Sequence, residues 1–161
     1  MQPDPEIFAL AQQVGERLRK LHKSIAVAES CTGGLLGAAL TDVPGSSAYF
    51  LGGVISYADR VKVEQLRVPE ATLRNYGAVS EQTAATMATG VRKLLQADIG
   101  VSITGVAGPD AEGSKPVGLT FIGIAATSVT THRFQWTGDR WDNRRRSVIA
   151  ALELLVRAPE L

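Results

Sequence analysis

Ser24-Ile25-Ala26-Val27-Ala28 runs directly into Glu29-Ser30-Cys31-Thr32-Gly33-Gly34, and this stretch decides how the chain folds. The first five residues form a short apolar run, which predicts a buried β-strand. Residues 35–40, after the glycines, are apolar or small and predict a compact helix packed closely against a sheet. A glycine-rich turn between a strand and a helix is typical of the ligand-binding edge of an α/β protein.

Helical periodicity is clear in three other parts of the chain. Asp4 and Pro5 predict the start of the first helix, because aspartate caps helices and proline suits their first turn. A second long helix is predicted after Ser80 and a third from about Asp142, with a short helix over residues 61–66 and a turn opened by Pro69. The predicted buried stripes of the three long helices are Ile7, Leu10, Ala11, Val14, Leu18 and Leu21; Met87, Val91, Leu94 and Leu95; and Val148, Ala151, Leu152, Leu155 and Val156.

Four further strands are indicated by apolar, aromatic and β-branched runs at residues 48–57, 99–104, 119–125 and 129–136. Gly52-Gly53 within the first of these runs predicts a bulge or a close backbone contact. The last two runs are close enough to pair as an antiparallel hairpin around Thr127-Ser128. Because helices and strands alternate in the first half, we predict one three-layer α/β/α domain over residues 1–161, with a mixed parallel/antiparallel sheet.

Composition argues against several classes of function. The 161 residues carry 17 basic and 16 acidic side chains, a net charge of +1, so neither a nucleic-acid nor a membrane-surface partner is expected. No apolar run approaches the roughly 18 residues of a membrane span, and the N-terminus lacks the pattern of a secretory signal. Cys31 is the one cysteine, so no internal disulfide is expected and a cytoplasmic location is predicted. His22 and His132 are far apart in sequence, and we predict no metal and no other cofactor.

The turn after the first predicted strand is the first of four segments with site chemistry. N–H groups at a helix N-terminus attract anions, and glycines let the backbone approach a ligand. The turn has neither the Walker nor the dinucleotide-binding glycine pattern, and a plain tight turn with Thr32 as the helix N-cap fits the spacing equally well. Cys31 allows two interpretations: a thiolate activated at the helix start, or a buried and unreactive thiol.

The second segment, Pro44-Gly45-Ser46-Ser47, precedes a predicted strand, and Tyr57 and Lys62 follow that strand. A serine becomes a nucleophile when a base takes its proton, and a lysine whose pKa is lowered by burial can be that base. The residues alone also fit an ordinary strand end followed by a surface lysine.

The third and fourth segments are a glycine-rich loop and a run of arginines. Thr104-Gly105 opens the loop, where a hydroxyl and backbone amides could hold a phosphate or an oxyanion. Arg144-Arg145-Arg146 follows Gly138-Asp139-Arg140, and cations in the first turn of a helix oppose the helix dipole, which indicates a functional role for one of them. Arginine binds phosphate or carboxylate through two hydrogen bonds, so an anionic substrate is expected.

Together these segments resemble the C-terminal domain family of the competence-damage-inducible protein A, which includes stand-alone nicotinamide mononucleotide amidases. The similarity extends from the first helix to about Arg157. One departure is Ala111-Glu112-Gly113, where relatives often carry two glycines, and relatives also occur fused to an N-terminal domain. The residues that carry the resemblance are Ala28-Glu29-Ser30-Cys31-Thr32-Gly33-Gly34, Pro44-Gly45-Ser46-Ser47, Ser56-Tyr57, Lys62, Gly77-Ala78-Val79-Ser80, Thr104-Gly105-Val106-Ala107-Gly108-Pro109, Lys115-Pro116-Val117-Gly118 and Gly138-Asp139-Arg140.

The resemblance implies hydrolysis of the carboxamide of nicotinamide mononucleotide to nicotinate mononucleotide and ammonia, in the recycling of pyridine nucleotides. It implies Ser47 as the catalytic serine, Lys62 as its lysine and Tyr57 as its tyrosine. The substrate-binding residues expected on this basis are Ser30, Thr32, Gly33, Gly34, Thr104, Gly105 and Arg144, with Arg145 as the alternative to Arg144.

Three alternatives stay open at this point. Cys31 in place of Ser47 could be the nucleophile, the chain could bind a nucleotide without turning it over, or the substrate could be another phosphorylated amide. Strand edges and apolar helices also predict a homo-oligomer.

Overall fold

The computed structural model of the chain describes residues 2–159, which fold into one sheet with helices on both faces. The predicted three-layer α/β/α fold with a mixed sheet is confirmed. The strands of these residues are β1 (Ile25–Glu29), β2 (Phe50–Ile55), β3 (Ile99–Gly105), β4 (Leu119–Ala125) and β5 (Val129–Gln135). The α-helices are α1 (Pro5–Leu21), α2 (Leu35–Thr41), α3 (Asp59–Leu66), α4 (Glu70–Tyr76), α5 (Glu81–Leu94) and α6 (Arg140–Arg157), and a 3-10 turn covers Ser46–Ala48.

The order of the strands places β1 between two parallel neighbours. The order is β2-β1-β3-β4-β5; β1 is parallel to β2 and β3, and β4 is antiparallel to β3 and β5. The chain leaves β1 for β2 on one side and later returns to β3 on the other. The carboxyl ends of β1 and β3 therefore flank a topological switch point, where open α/β sheets bind their ligands.

Two sets of helices cover the two faces of the sheet. Helices α1, α2 and α6 pack on one face, around a core that includes Leu18, Leu40, Ile103 and Leu152. Helices α3, α4 and α5 cover the other face, around residues such as Met87. Each such side chain stabilises the fold by about 1.5–3 kcal/mol. Because both faces are covered, a ligand reaches the sheet only at its ends or edges.

The predicted helix caps at Asp4 and Ser80 are confirmed. The Asp4 carboxylate accepts hydrogen bonds from two N–H groups in the first turn of α1, and Ser80 Oγ accepts one from the N–H of Thr83. Within residues 2–159, no helix combines the length and the apolar character that a membrane span needs.

Two details of the helices differ from prediction. Pro69 is the N-cap of α4, where the sequence predicts a turn. Helix α4 buries none of its residues, so it lacks the apolar periodicity that marks a helix in sequence. Leu21 and Leu94, predicted in buried stripes, are 39% and 47% exposed, because each lies at the last position of its helix, beyond the sheet.

Strand β2 has both features predicted from Gly52-Gly53. Its register with β1 shifts between Ile25 and Ala26, and a Cβ on Gly53 would lie 2.6 Å from the carbonyl oxygen of Val27. The strand is shorter than predicted, because residues 46–48 form the 3-10 turn that precedes it.

Gly100→Ala is expected to lower the free energy of unfolding by about 1–3 kcal/mol. The physical reason is that a Cβ on Gly100 would overlap the carbonyl oxygen of Ala88, where α5 packs against β3. Gly37→Ala in α2 is the matched control, since its Cβ would meet no atom closer than 3.6 Å and alanine favours a helix by about 1 kcal/mol. Denaturant titration measures both, and equal stability of the two variants would contradict this close packing.

Candidate active site

A pocket opens where β1, β2 and β3 end, at the switch point of the sheet. Its volume is about 210 Å³, below the roughly 300–1,000 Å³ of sites that enclose a whole drug-sized ligand. It is therefore large enough for the head group of a ligand, with the rest extending into solvent. The pocket is lined by Ser30, Cys31, Tyr57, Asp59, Lys62, Ala78, Val79, Thr104, Gly105, Val106, Ala107, Gly108, Asp110, Glu112 and Arg140.

Lys62 enters the pocket from α3, and its side chain is only 1% exposed. Its Nζ donates hydrogen bonds to the carbonyl oxygens of Ser56 (2.8 Å) and Tyr57 (3.2 Å) and lies 3.5 Å from Asp59 Oδ1. Burial lowers the pKa of Lys62 below its ordinary 10.5, and the Asp59 carboxylate partly offsets that shift. The amine of Lys62 thus loses its proton at a lower pH than a surface lysine does, as a general base requires.

Ser30 is the fourth polar partner of the Lys62 amine, after Ser56, Tyr57 and Asp59. Its Oγ lies 3.4 Å from Lys62 Nζ, and its backbone N–H is fixed by the carbonyl oxygen of Ile103 at 3.0 Å. A neutral amine has two N–H donors and one lone pair. The carbonyl oxygens of Ser56 and Tyr57 can only accept and are closer than the Asp59 carboxylate, so they accept the two N–H groups and leave the lone pair for the Ser30 hydroxyl. The geometry suits proton transfer from Ser30 to Lys62.

Ser47 does not meet Lys62 within the chain, which corrects the predicted serine–lysine pair. Ser47 lies in the 3-10 turn before β2, whereas Tyr57 and Lys62 follow β2. The six residues of the strand separate these two ends by roughly 17 Å. The order along the chain already places Ser47 before β2 and Lys62 after it, at opposite ends of the strand.

The N–H groups at the turn after β1 bind a carboxylate of the chain itself, that of Glu29. The carboxylate of Glu29, 1% exposed, accepts hydrogen bonds from Thr32 Oγ1 (2.6 Å) and from three N–H groups at the start of α2, including that of Gly34 (3.2 Å). Gly34, not Thr32, is the N-cap of α2. Thr32, Gly33 and Gly34 lie outside the lining of this pocket, and their role in substrate binding stays a prediction.

Cys31 borders the pocket but is not activated as a nucleophile. It is 7% exposed, and burial raises the pKa of its thiol to about 12, with a further increase from the nearby Glu29 carboxylate. The helix dipole gives no compensation, because the first N–H groups of α2 are directed at Glu29. These contacts favour the interpretation of a buried, unreactive thiol.

Thr104 and Gly105, at the end of β3, both lie in the pocket. Thr104 Oγ1 donates its single proton to the carbonyl oxygen of Ala78 at 2.7 Å. The hydroxyl is therefore left as an acceptor, which suits an N–H of a ligand and not the phosphate or oxyanion considered from sequence. A Cβ on Gly105 would lie 2.7 Å from Thr120 Oγ1, so packing against β4 explains this glycine.

Tyr57 and Arg140 form the outer wall of the pocket. Arg140 donates to the Tyr57 hydroxyl at 3.0 Å and to the carbonyl oxygen of Gly108 at 2.6 Å. Sequence reasoning did not select Arg140 as a site residue, because it placed the start of α6 near Asp142. The signal for the correct start was Asp139, which caps the helix directly before Arg140.

The three arginines that follow have partners outside the pocket. Arg144 donates to the carbonyl oxygens of Cys31 (3.1 Å) and Thr32 (3.0 Å), so it holds the turn after β1 from the side of α6. Arg145 forms ion pairs at 2.7 and 2.6 Å with two carboxylates at the start of α1, and Arg146 pairs within α6. They occupy the second turn of α6 and do not oppose its dipole at the N-terminus, which corrects the prediction for this run.

The rim of the pocket is acidic. The exposed residues Asp59, Asp110 and Glu112 stand against two cations, Lys62 and Arg140, so the formal charge of the lining is 2 − 3 = −1. Such a lining favours a ligand that carries a positive charge close to its polar head group. In residues 2–159 no three His, Cys, Asp or Glu side chains gather as a metal ion would need.

An α/β/α fold with a serine beside a buried lysine at the strand ends defines a site suited to nucleophilic chemistry. The sequence model of the family described as the CinA C-terminal domain matches residues 7–158 of this chain. The chain therefore belongs to this family.

Solved structures of the family are close to this one. The competence/damage inducible protein CihA from Agrobacterium tumefaciens is 37% identical with a TM-score of 0.93, over 97% of this chain and 98% of that one. A CinA superfamily protein from Klebsiella pneumoniae is 33% identical with a TM-score of 0.91, over 93% and 95% of the two chains. A CinA-like protein from Microcystis aeruginosa is 51% identical over 149 residues, which are 89% of this chain. The chain spans about a third of the length of the curated relatives it matches (37%, 36% and 36% for three of them).

Cys31 is expected to react slowly with iodoacetamide in the folded protein. A thiol with a pKa of about 12 is ionised in about one molecule in ten thousand at pH 8, and the thiolate is the reactive form. Mass spectrometry of alkylated protein measures the rate, and the denatured chain is the control because its thiol regains an ordinary pKa of about 8.5. Equal rates in the folded and denatured states would restore Cys31 as a candidate nucleophile.

Proposed function

We infer that the chain hydrolyses the carboxamide of nicotinamide mononucleotide to nicotinate mononucleotide and ammonia, with Ser30 as the nucleophile and Lys62 as its base. The observation that carries this function is the buried Lys62 Nζ at 3.4 Å from Ser30 Oγ, inside the pocket at the switch point. Membership of the CinA C-terminal domain family supports it, because the resemblance implies this amidase reaction.

The reaction takes place in two steps. Lys62 accepts the Ser30 proton while Ser30 Oγ forms a bond to the carboxamide carbon, and the resulting ammonium of Lys62 returns that proton to the amine as the C–N bond breaks. Ammonia leaves and an ester on Ser30 remains. Lys62 then deprotonates a water molecule that attacks the ester, which releases the carboxylate of nicotinate and restores the Ser30 hydroxyl.

Two groups around Ser30 orient the carboxamide. Thr104 Oγ1, left as an acceptor, receives an N–H of the amide and so selects an amide over an ester. For the developing oxyanion the donor proposed is the backbone N–H of Cys31, which directly follows the nucleophile and whose acceptor within residues 2–159 is its own thiol.

The charges of the rim fit a pyridinium ring. Attachment of ribose to the ring nitrogen gives nicotinamide mononucleotide a positive ring, which the carboxylates of Asp59, Asp110 and Glu112 stabilise. Arg140, on the outer wall beside Tyr57, is the cation available to the phosphate at the opposite end of the substrate.

Ser30→Ala is expected to lower ammonia release from nicotinamide mononucleotide by about a thousandfold or more, since it removes the attacking oxygen. Cys31→Ser is the matched control, because it changes the adjacent pocket residue and keeps Ser30 and Lys62; we expect it to retain activity. Full activity of Ser30→Ala, or loss of activity in Cys31→Ser alone, would contradict the assignment.

The same assay on three amides tests the substrate. We expect the order nicotinamide mononucleotide, then the riboside, then nicotinamide, because the riboside lacks the phosphate and nicotinamide also lacks the ring charge. Thermal stabilisation by the nucleotide without ammonia release would identify a binding module and overturn the amidase function.

The value of kcat/KM is expected to rise with pH as Lys62 loses its proton, with a midpoint below pH 10.5 because burial lowers its pKa. Asp59→Asn moves this midpoint to lower pH, because the Asp59 carboxylate raises the pKa of Lys62. Glu64→Gln, an exposed carboxylate on the same helix paired with Arg60, is the control and leaves the midpoint in place. A pH profile that is identical in Asp59→Asn would exclude Lys62 as the base.

A further inference from the structure

Asn143, near the start of α6, carries a buried amide that contacts the wall of the pocket. The residue is 2% exposed. Its Nδ2 donates to the carbonyl oxygens of Ala107 and Gly138, both at 3.0 Å, and its Oδ1 accepts from the N–H of Gly138 at 3.1 Å. Ala107 lines the pocket in the loop after β3, and Gly138 lies between β5 and α6. One side chain therefore joins two segments that are far apart in sequence.

The partners of this amide require asparagine at the position. Both N–H groups on Nδ2 meet carbonyl oxygens, and Oδ1 meets an N–H, so the orientation of the amide is fixed by its partners. No other side chain of this size offers two donors and an acceptor together. The loss of any of these contacts leaves a buried backbone group without a partner, which is costly.

The backbone of Asn143 is in turn fixed from the sheet. Buried Ser147 Oγ donates to the carbonyl oxygen of Asn143 at 2.7 Å and accepts from Trp136 Nε1 at 3.0 Å. Trp136 directly follows β5. The position of Asn143 is therefore set by the sheet as well as by its own helix.

Both ends of Arg140 depend on the contacts of Asn143. The backbone of Arg140 follows two residues after Gly138, and its guanidinium donates to the carbonyl oxygen of Gly108, directly after Ala107. The Arg140 residue is exposed, and a long, exposed side chain loses conformational freedom when a ligand orders it. Because the Asn143 amide holds the segments on both sides, it limits that freedom before a ligand binds.

We propose that Asn143 is a positioning residue: its buried amide fixes the backbone before Arg140 and the loop that holds the Arg140 guanidinium, so that Arg140 is ready for the phosphate of the substrate. The role rests on the function proposed above, in which Arg140 is the cation available to that phosphate. Asn143 is not part of the pocket lining, so it acts through Arg140. Binding then requires less ordering of the arginine, which strengthens the affinity for a phosphorylated ligand.

Calorimetric binding of nicotinamide mononucleotide and of its riboside to the Ser30→Ala chain tests this role without turnover. Adding Asn143→Ala is expected to weaken binding of the nucleotide about fivefold, since Arg140 must then be ordered on binding, and to change binding of the riboside, which has no phosphate, by less than about twofold. Ser102→Ala is the matched control. It removes another buried hydrogen bond to a carbonyl oxygen, that of Ala84 at 2.6 Å, away from the pocket lining, and leaves both affinities in place.

A double-mutant cycle with Arg140→Ala separates positioning from a general loss of stability. We expect Asn143→Ala to weaken binding of the nucleotide no further once the Arg140 side chain is absent, since positioning acts only through that side chain. If alanine unfolds the chain, Asn143→Asp takes its place, because aspartate has nearly the same size, keeps the acceptor for the Gly138 N–H and lacks the two donors. An effect of its added charge persists in Arg140→Ala, whereas a loss of positioning does not.

Three results would overturn the role of Asn143: unchanged binding of the nucleotide in the folded variant, equal weakening for the nucleotide and the riboside, or an effect that persists in full in Arg140→Ala. Failure of the proposed function gives a different result. A wild-type chain that binds the nucleotide but releases no ammonia would refute the amidase reaction and leave the positioning role to the calorimetry. A wild-type chain that binds neither ligand would refute both.

Discussion

The buried carboxylate of Glu29 is the interaction on which the rest of the site depends. It closes the turn between β1 and α2 by accepting hydrogen bonds from Thr32 Oγ1 and from three N–H groups at the start of the helix. A buried carboxylate is costly unless donors surround it, and these four donors together with the helix N-terminus compensate for its desolvation. Because every donor comes from the turn or the helix, the backbone there has one conformation. Ser30, which directly follows Glu29, is fixed by it.

Arg144 supplies the opposite charge for the same turn. Its guanidinium donates hydrogen bonds to the carbonyl oxygens of Cys31 and Thr32, while the Glu29 carboxylate accepts hydrogen bonds from the N–H groups. The polar groups of the turn are thus largely satisfied inside the chain, and few remain for an anion. Chemistry at this end of the sheet therefore falls to side chains that reach the pocket from other elements, above all Lys62 from α3. The glycine-rich turn thus holds Ser30, the proposed nucleophile, in place, whereas its proposed base comes from α3.

The sequence predicted the elements that bury apolar residues in a regular pattern, and it was less informative about the ends of elements. Strands β3, β4 and β5 were recognised almost to their bounds because their runs are continuous, and α1 and α5 because Asp4 and Ser80 cap them. Helix α4, which has no buried residue, gave no signal. The contact between Ser30 and Lys62 depends on β1 and β2 being parallel neighbours, and the order of strands in the sheet is not encoded in local pattern. Similarly, moving the start of α6 by two residues exchanged Arg140 for Arg144 in the pocket.

The topology of the sheet also explains why the pocket has an open side. A site at the end of β1 takes one wall from the loop after β3, which lies in the interior of the sheet, and the other from the residues after β2. Since β2 is an outer strand, the second wall stands at the edge of the molecule. It consists of exposed Tyr57 and exposed Asp59, whose side-chain partners within residues 2–159 are Arg140 and Lys62. Water enters a pocket from such a side unless something covers it, and water weakens both the acidic rim and the lowered pKa of Lys62. The solvent exposure of this wall therefore opposes the burial that lowers the pKa of Lys62.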